Sequence, residues 1–200
     1  SRAGVADRRR SAGGRTVIDL AQRLSAVPAL SRTDLLAAPV VEALRAMPDE
    51  LAARIMVTEI DPALADTAAF CERYEVLAAE SANCVIVAGR RADVTTLAAC
   101  VVLATTRADV NSLVRRHLDV RKISFAAMDV AVSASDMEYG GITPVGLPAT
   151  WPLLVDRAVA EAGPVVIGSG LRASKIVLPG ELLARLPNAV VLDGLGQVAG

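Results

Sequence analysis

Apolar residues recur with helical spacing at Val17, Ile18, Leu20, Ala21 and Leu24, which predicts a helix over 17–27. The spacing returns through Leu35, Leu36, Val40, Val41 and Leu44, predicting a second helix over 33–47 that Pro39 kinks or breaks. Each has one apolar face that needs a partner surface, either the main domain or a second copy of the chain. From Pro48 the pattern changes. Ile55, Val57 and Ile60 mark a strand within 53–60, ended by Asp61-Pro62. Asp66 or Thr67 then caps a short helix to about Tyr74. Compact apolar runs at 84–88 and 95–105 read as strands. An amphipathic helix starts at Asp109 (Val110, Leu113, Val114, His117), a short strand follows near 123–125, and 126–133 is predicted helical. Further strands are expected at 152–155, 165–167, 175–178 and 189–192, with a helix from Pro179 to Leu186. Many short strands with interspersed helices predict an α+β domain, a mixed sheet with flanking helices, rather than a regular βαβ winding.

The stretch Tyr139-Gly140-Gly141-Ile142-Thr143-Pro144-Val145-Gly146-Leu147-Pro148 belongs to neither period. Three glycines and two prolines in ten residues exclude a helix interior or a central strand. Gly140-Gly141 can turn backbone N–H groups towards one point, and Pro144 stiffens the exit while biasing Thr143 towards extended geometry. Such a loop suits a carbonyl oxygen, an oxyanion or a phosphate. On composition alone a tight structural turn between two elements is the more ordinary reading, since such dipeptides punctuate loops.

Composition narrows the function classes. The chain of 200 residues is 53% hydrophobic and only 2% aromatic, with a net charge of -1. No global basic field points to nucleic acid. The first sixteen residues are the exception: five arginines against Asp7 give +4 there and leave -5 elsewhere. Residues 1–16 are therefore expected to be a disordered basic tail, either inert or touching RNA backbone. Cys71, Cys84 and Cys100 lack CxxC spacing, so neither a zinc site nor a disulfide framework is indicated, and they read as reduced core residues of a cytoplasmic protein. The longest nearly apolar run, 97–104, is far short of a membrane span. Asp19 and Arg23 interrupt any signal-peptide core.

Other constellations are weaker. His117 has no nucleophile assigned to it by sequence. Gly194-Leu195-Gly196 imitates the start of a dinucleotide fingerprint but lacks the following βαβ unit. Asp129, Asp136 and Glu138 can be an acid/base or cation group, or a solvated acidic edge. Tyr139 and Trp151 flank the loop as stacking surfaces for an adenine or as lids over the core.

Four ordered segments resemble the YbaK-like, prolyl-tRNA-synthetase-associated editing domains. Ser81-Ala82-Asn83-Cys84-Val85-Ile86-Val87 stands where that family has its lysine-containing strand entry. Arg107-Ala108-Asp109-Val110-Asn111-Ser112-Leu113 is similar to its Asp-x-x-x-Leu helix start. Gly140-Gly141-Ile142-Thr143-Pro144-Val145-Gly146 is similar to its Gly-Gly-x-Ser-Pro-x-Gly loop. Val166-Ile167-Gly168-Ser169-Gly170, with Lys175-Ile176 beyond, resembles its second glycine turn and following strand.

The resemblance implies a YbaK-like α+β editing domain at 49–200, preceded by a helical extension at 17–48. It implies hydrolysis in trans of the ester of a mischarged aminoacyl-tRNA, a task of translation fidelity that uses no metal, no cofactor and no covalent nucleophile. Gly140, Gly141, Thr143, Pro144 and Gly146 would hold the ester carbonyl and its oxyanion. Asn83, Gly168, Ser169, Gly170 and Lys175 would bind the aminoacyl end. The implied partners are the 3′ aminoacyl end of tRNA and prolyl-tRNA synthetase or the translation machinery, with no membrane and with a homodimer through the N-terminal helices as an option. Two positions depart from the family: Ala82 replaces its lysine, and Asp136 stands where a glycine is common. Alanine offers neither charge nor donor. Either Arg90, Lys122 or Lys175 supplies the cation from elsewhere, or the chain is a catalytically impaired module that holds tRNA ends or a protein.

Overall fold

The structure is a computed structural model and describes residues 15–199. Thr16 opens helix α1 (Val17–Arg23) with a capping box, its hydroxyl accepting the Asp19 N–H while the Asp19 carboxylate accepts its own N–H. Strand β1 (Val27–Pro28) follows, then a 3₁₀ turn at Thr33–Leu35 and helix α2 (Ala38–Ala46). Pro39 lies in the first turn of α2 and starts the helix rather than kinking it, because its missing N–H is one the first turn leaves unpaired anyway. Helix α3 (Asp49–Ala52), strand β2 (Met56–Glu59) and helix α4 (Thr67–Tyr74) come next. The Asp66 carboxylate caps α4 by accepting the N–H groups of Ala68 and Ala69.

Strands β3 (Ala82–Arg91) and β4 (Val94–Leu103) form a long hairpin, followed by β5 (Arg107–Ala108). Asp109 caps a π-helical turn, Val110–Val114, that continues as α5 (Arg115–His117). Then come β6 (Lys122–Phe125), helix α6 (Met128–Ser135), β7 (Leu153–Asp156), α7 (Arg157–Ala160), β8 (Pro164–Gly168) and β9 (Ser174–Pro179). The helix expected over 179–186 is a 3₁₀ segment, Gly180–Arg185, before β10 (Ala189–Leu192) and β11 (Gly196–Gln197).

Two sheets stack face to face. One is antiparallel, in the order β1-β2-β9-β8, and the other is mixed, in the order β10-β7-β4-β3-β6. Their inner faces meet in the central core through Val165, Ile167, Ile176 and Leu178 on one side and Ile86, Ala99, Val101, Leu153 and Val155 on the other. The alternate residues face outwards, as the two-residue period requires. Val166 and Val177 pack under α1 and α4 with Leu20, Leu24 and Phe70. Val87, Cys100 and Leu154 pack under the 110–117 helical segment with Val110 and Val114. Both faces of the central strands β7, β8 and β9 and of the middle of β4 are covered, which is why these strands read as unbroken apolar runs. Phe70 is wholly buried, a contribution of about 1.5–3 kcal/mol.

The N-terminal helices find their partner surface within the chain: α1 covers the four-stranded sheet, and Val40 and Leu44 of α2 enter the central core. The tail expected over 1–16 falls mostly on residues 1–14, outside the described residues. Arg15 is described and pairs with Glu80 at 3.2 Å. Among the described residues, no helix is long and apolar enough to cross a membrane.

Candidate active site

The two sheets diverge at the beginning of β3. A single parallel bridge, Ser81 to Val166, links β3 to β8, and β6 pairs only with Val87–Arg90. Ala82–Ile86 therefore presents an open strand edge. The Ser81 carbonyl accepts from Ala104 on the β4 side, and the Ile86 carbonyl accepts from Ala126 on the opposite side. Strand alternation turns the main-chain donor and acceptor of Cys84 to that open edge as well. A cleft of about 380 Å³ lies there, bordered by Ala82, Asn83, Gly140, Gly168, Arg172 and Lys175 among others.

Two glycine turns build its wall, and they are laced together. The Gly170 N–H donates to the Gly141 carbonyl at 2.7 Å, and the Glu138 N–H donates to the Gly170 carbonyl at 2.8 Å. Arg172 completes the seam: its N–H donates to Glu138 Oε1 at 3.1 Å and its guanidinium to the carbonyls of Tyr139 (3.0 Å) and Pro62 (3.1 Å). Both turns need glycine, through positive φ at Gly140 and Gly170 and through backbone atoms that crowd the Cβ position at Gly141 and Gly168. A Cβ on Gly140, at φ +77°, would meet the Arg172 guanidinium at 2.6 Å, and a Cβ on Gly168 would meet the Gly141 carbonyl oxygen at 2.6 Å.

The other expected loop residues have separate places. The Gly141 N–H donates to the Glu138 carbonyl at 3.0 Å, and the Thr143 N–H faces Met137 Sδ at 3.5 Å. Thr143 is fully buried and its hydroxyl has no partner among the described residues. Pro144 and Gly146 border a different cavity, about 300 Å³ and mostly apolar, between Met47, Leu51, Trp151 and Leu186. Gly140 and Ile142 face the cleft, and their N–H groups take no partner among the described residues. Ser169 is buried away from the cleft, where its hydroxyl lies 2.6 Å from that of Ser174 and accepts the Leu171 N–H at 3.2 Å. It holds its own turn together.

Lys175 is the buried cation of the site. It is the second residue of β9, opposite Gly168, on the sheet face covered by α4. Its ammonium donates to the Ala65 carbonyl at 2.9 Å and lies 5.4 Å from the centre of the Phe70 ring. Burial pushes its pKa down from 10.5, against the opposing pull of Cys71 and Asp66. Arg90 and Lys122, the other cations considered for Ala82's missing charge, line a recess elsewhere. Asn83 is fixed by the Thr67 hydroxyl, which donates to its Oδ1 at 2.6 Å and leaves Nδ2 to donate. Burial raises the Cys84 thiol above its usual range, so it is a poor source of thiolate.

Arg172 and Thr67 have roles at the cleft that the sequence did not assign. Arg172 had one sequence signal, its place two residues behind Gly170. Thr67 was marked only as an alternative cap for α4. His117 is exposed on α5 and has no part in the cleft. Glu138 takes the Arg172 N–H, while Asp136 occupies a left-handed position (φ +55°) at the end of α6.

Several solved structures share this architecture. One, described as a candidate trans-editing enzyme for prolyl tRNA synthetase, is 16% identical, with a TM-score of 0.65 over 81% of this chain and 99% of that one. A hypothetical protein is 19% identical, with a TM-score of 0.65 over 74% of this chain and 95% of the other. A scaffold protein from computational epitope grafting is 17% identical, with a TM-score of 0.66 over 80% and 97%. At these identities the likeness speaks for the fold. No curated protein matches the sequence. The family model for the aminoacyl-tRNA editing domain matches residues 61–186, which include the strand entry, both glycine turns and Lys175. That match spans more than half of the sequence, and the chain belongs to the aminoacyl-tRNA editing domain family.

Proposed function

We propose that this chain hydrolyses, in trans, the ester of a mischarged aminoacyl-tRNA, with Lys175 acting as the cation that position 82 lacks. The observation that carries the reading is that Lys175 and Ala82 border one cleft, together with Gly140 and Gly168. In ester hydrolysis water adds to the carbonyl carbon, negative charge develops on the carbonyl oxygen, and the ribose hydroxyl leaves with a proton. The N–H groups of Gly140 and Ile142, in cleft-lining residues and unpaired among the described residues, would be the loop donors for that charge. A buried ammonium acts more strongly on an anionic or polarised group than one in water, because little solvent screens it. Asn83 Nδ2 adds a neutral donor for the aminoacyl end.

The rival reading is a non-catalytic module that grips the same RNA end. It is favoured by the inward turn of the Gly141 and Thr143 N–H groups, which removes two of the expected oxyanion donors. A deacylation time course separates the two, using tRNAs charged with Ala, Cys, Ser, Thr and Pro beside a no-enzyme control. Release of an amino acid above control is expected. A flat panel alongside measurable tRNA binding would favour the binding module.

A further inference from the structure

β3 connects the cleft to a second concentration of charge. At the opposite end of the strand, Arg90, Arg115, Arg121 and Lys122 border a recess of about 710 Å³ whose lining contains no carboxylate. In a chain with net charge -1, four cations around one acid-free recess form a local positive field. Among the described residues, the ion pair these four cations make within 4 Å is Arg90 to Asp93 at 3.9 Å, and Asp93 is fully solvent-exposed, so that pair is heavily screened. Arg115 spends Nε on the Asn111 carbonyl. Arg121 and Lys122 have no side-chain partner among the described residues, and both are exposed.

Exposed residues of β6 and the start of α6 lie between recess and cleft. β6 is the edge strand of its sheet, with Lys122 in the recess at one end and Phe125 at the other, where the phenyl ring is 64% exposed. Met128 and Tyr139 then border the cleft, 49% and 58% exposed. A large aromatic ring left in water on an edge strand gains nothing in the folded chain alone, but it offers a face on which a base can stack.

We propose that the recess holds the phosphodiester backbone of the RNA arm whose 3′ end enters the cleft, with Phe125 and Tyr139 as stacking surfaces between them. The inference rests on the editing reading and extends it to the body of the substrate. From Ala82 to Arg90 the strand advances eight residues, about 26 Å at ~3.3 Å per residue. At ~3.4 Å per phosphate along one strand, the recess meets the backbone roughly eight nucleotides from the 3′ terminus. Shorter RNA does not reach it.

Length dependence is therefore the test. An uncharged twelve-base-pair RNA hairpin with a single-stranded CCA end and a four-nucleotide CCA-ended strand are titrated against the wild type, Arg121→Ala/Lys122→Ala and Phe125→Ala, from 50 to 200 mM salt. Arg45→Ala, an exposed arginine of α2 outside the recess, serves as control. The double variant is expected to bind the hairpin about tenfold more weakly, with the log–log salt slope reduced by roughly 1.5, at about 0.7–0.9 per lost phosphate contact. Its affinity for the four-nucleotide strand and its cleavage of an aminoacyl-adenosine ester should match wild type. Phe125→Ala should weaken hairpin binding with the slope unchanged. Equal hairpin affinities and slopes in wild type and double variant would overturn the proposal, as would an equal loss on the four-nucleotide strand or a wild type that does not bind the hairpin. If the wild type cleaves no ester while the length-dependent loss persists, the RNA track stands and the hydrolase reading falls.

Discussion

The two halves of the glycine-rich loop do different work. Tyr139–Ile142 borders a polar cleft in which a lysine, an arginine and an asparagine converge. Thr143–Pro148 turns away from it, burying the Thr143 side chain and closing an apolar cavity against Trp151 and the α2–α3 corner. Among the described residues, the first half leaves the N–H groups of Gly140 and Ile142 unpaired, whereas Gly146 packs against the Pro39 backbone. A motif that reads as one unit in sequence thus borders a cleft over four residues and packs the interior over the next six. The cost of a substitution should change in kind, from activity to stability, at the Ile142–Thr143 junction.

The largest expected effect is on the apolar half. Trp151→Ala enlarges the existing cavity and should cost about 3–5 kcal/mol in urea unfolding, with kcat/KM per folded molecule unchanged. A catalytic defect without a stability loss would erase the division between the halves. On the polar half, Asn83→Ala should lower kcat/KM for aminoacyl-tRNA about tenfold, or ~1.4 kcal/mol, while removing a partly exposed hydrogen bond that adds little to stability. Equal turnover in the variant would remove Asn83 from the site.

The smallest effect is a pH slope. Lys175 has a lower pKa folded than unfolded, so between its lowered pKa and 10.5 the unfolded chain binds more protons. Stability should therefore rise with pH across that window; the burden of the buried charge is fully present below the folded pKa and fades above it. Deacylation that depends on the ammonium should fall in the same window, on an alkaline limb below 10.5. Chemical unfolding and rate measurements across that range, with Lys175→Met as reference, give both slopes. The variant should lack the stability slope, and an identical slope in both proteins would assign the titration to another group.

Much of the architecture is written locally. The starts of the helical segments at 67 and 110 were legible because a capping side chain before an amphipathic run can satisfy first-turn N–H groups. The choice between Asp66 and Thr67 stayed open until the fold showed Asp66 accepting them. The α+β class followed from strand runs too short and too frequent for a βαβ winding. Three features were not readable, each for a physical reason. Leu182, Leu183 and Leu186 suit either an α or a 3₁₀ turn, since one short turn does not separate a period of 3.0 from 3.6. The split of the loop depends on the approach of Pro39, more than a hundred residues away in sequence. The meeting of Lys175 with Ala82 depends on two registers, Ser81 with Val166 and Gly168 with Lys175, that only the folded sheet sets. Lys175 was one of three cations considered, and sequence alone gave no ground for preferring it to Arg90 or Lys122.

The central claim is that the site's cation has moved from position 82 to Lys175. A charge swap tests it most directly: single-turnover deacylation by wild type, Lys175→Met and Ala82→Lys/Lys175→Met, each shown to be folded, on the charged tRNA that the wild type cleaves best. Lys175→Met should lose roughly 10²–10³-fold in rate, and the double variant should recover a substantial part of it. A Lys175→Met rate equal to wild type would contradict the claim outright.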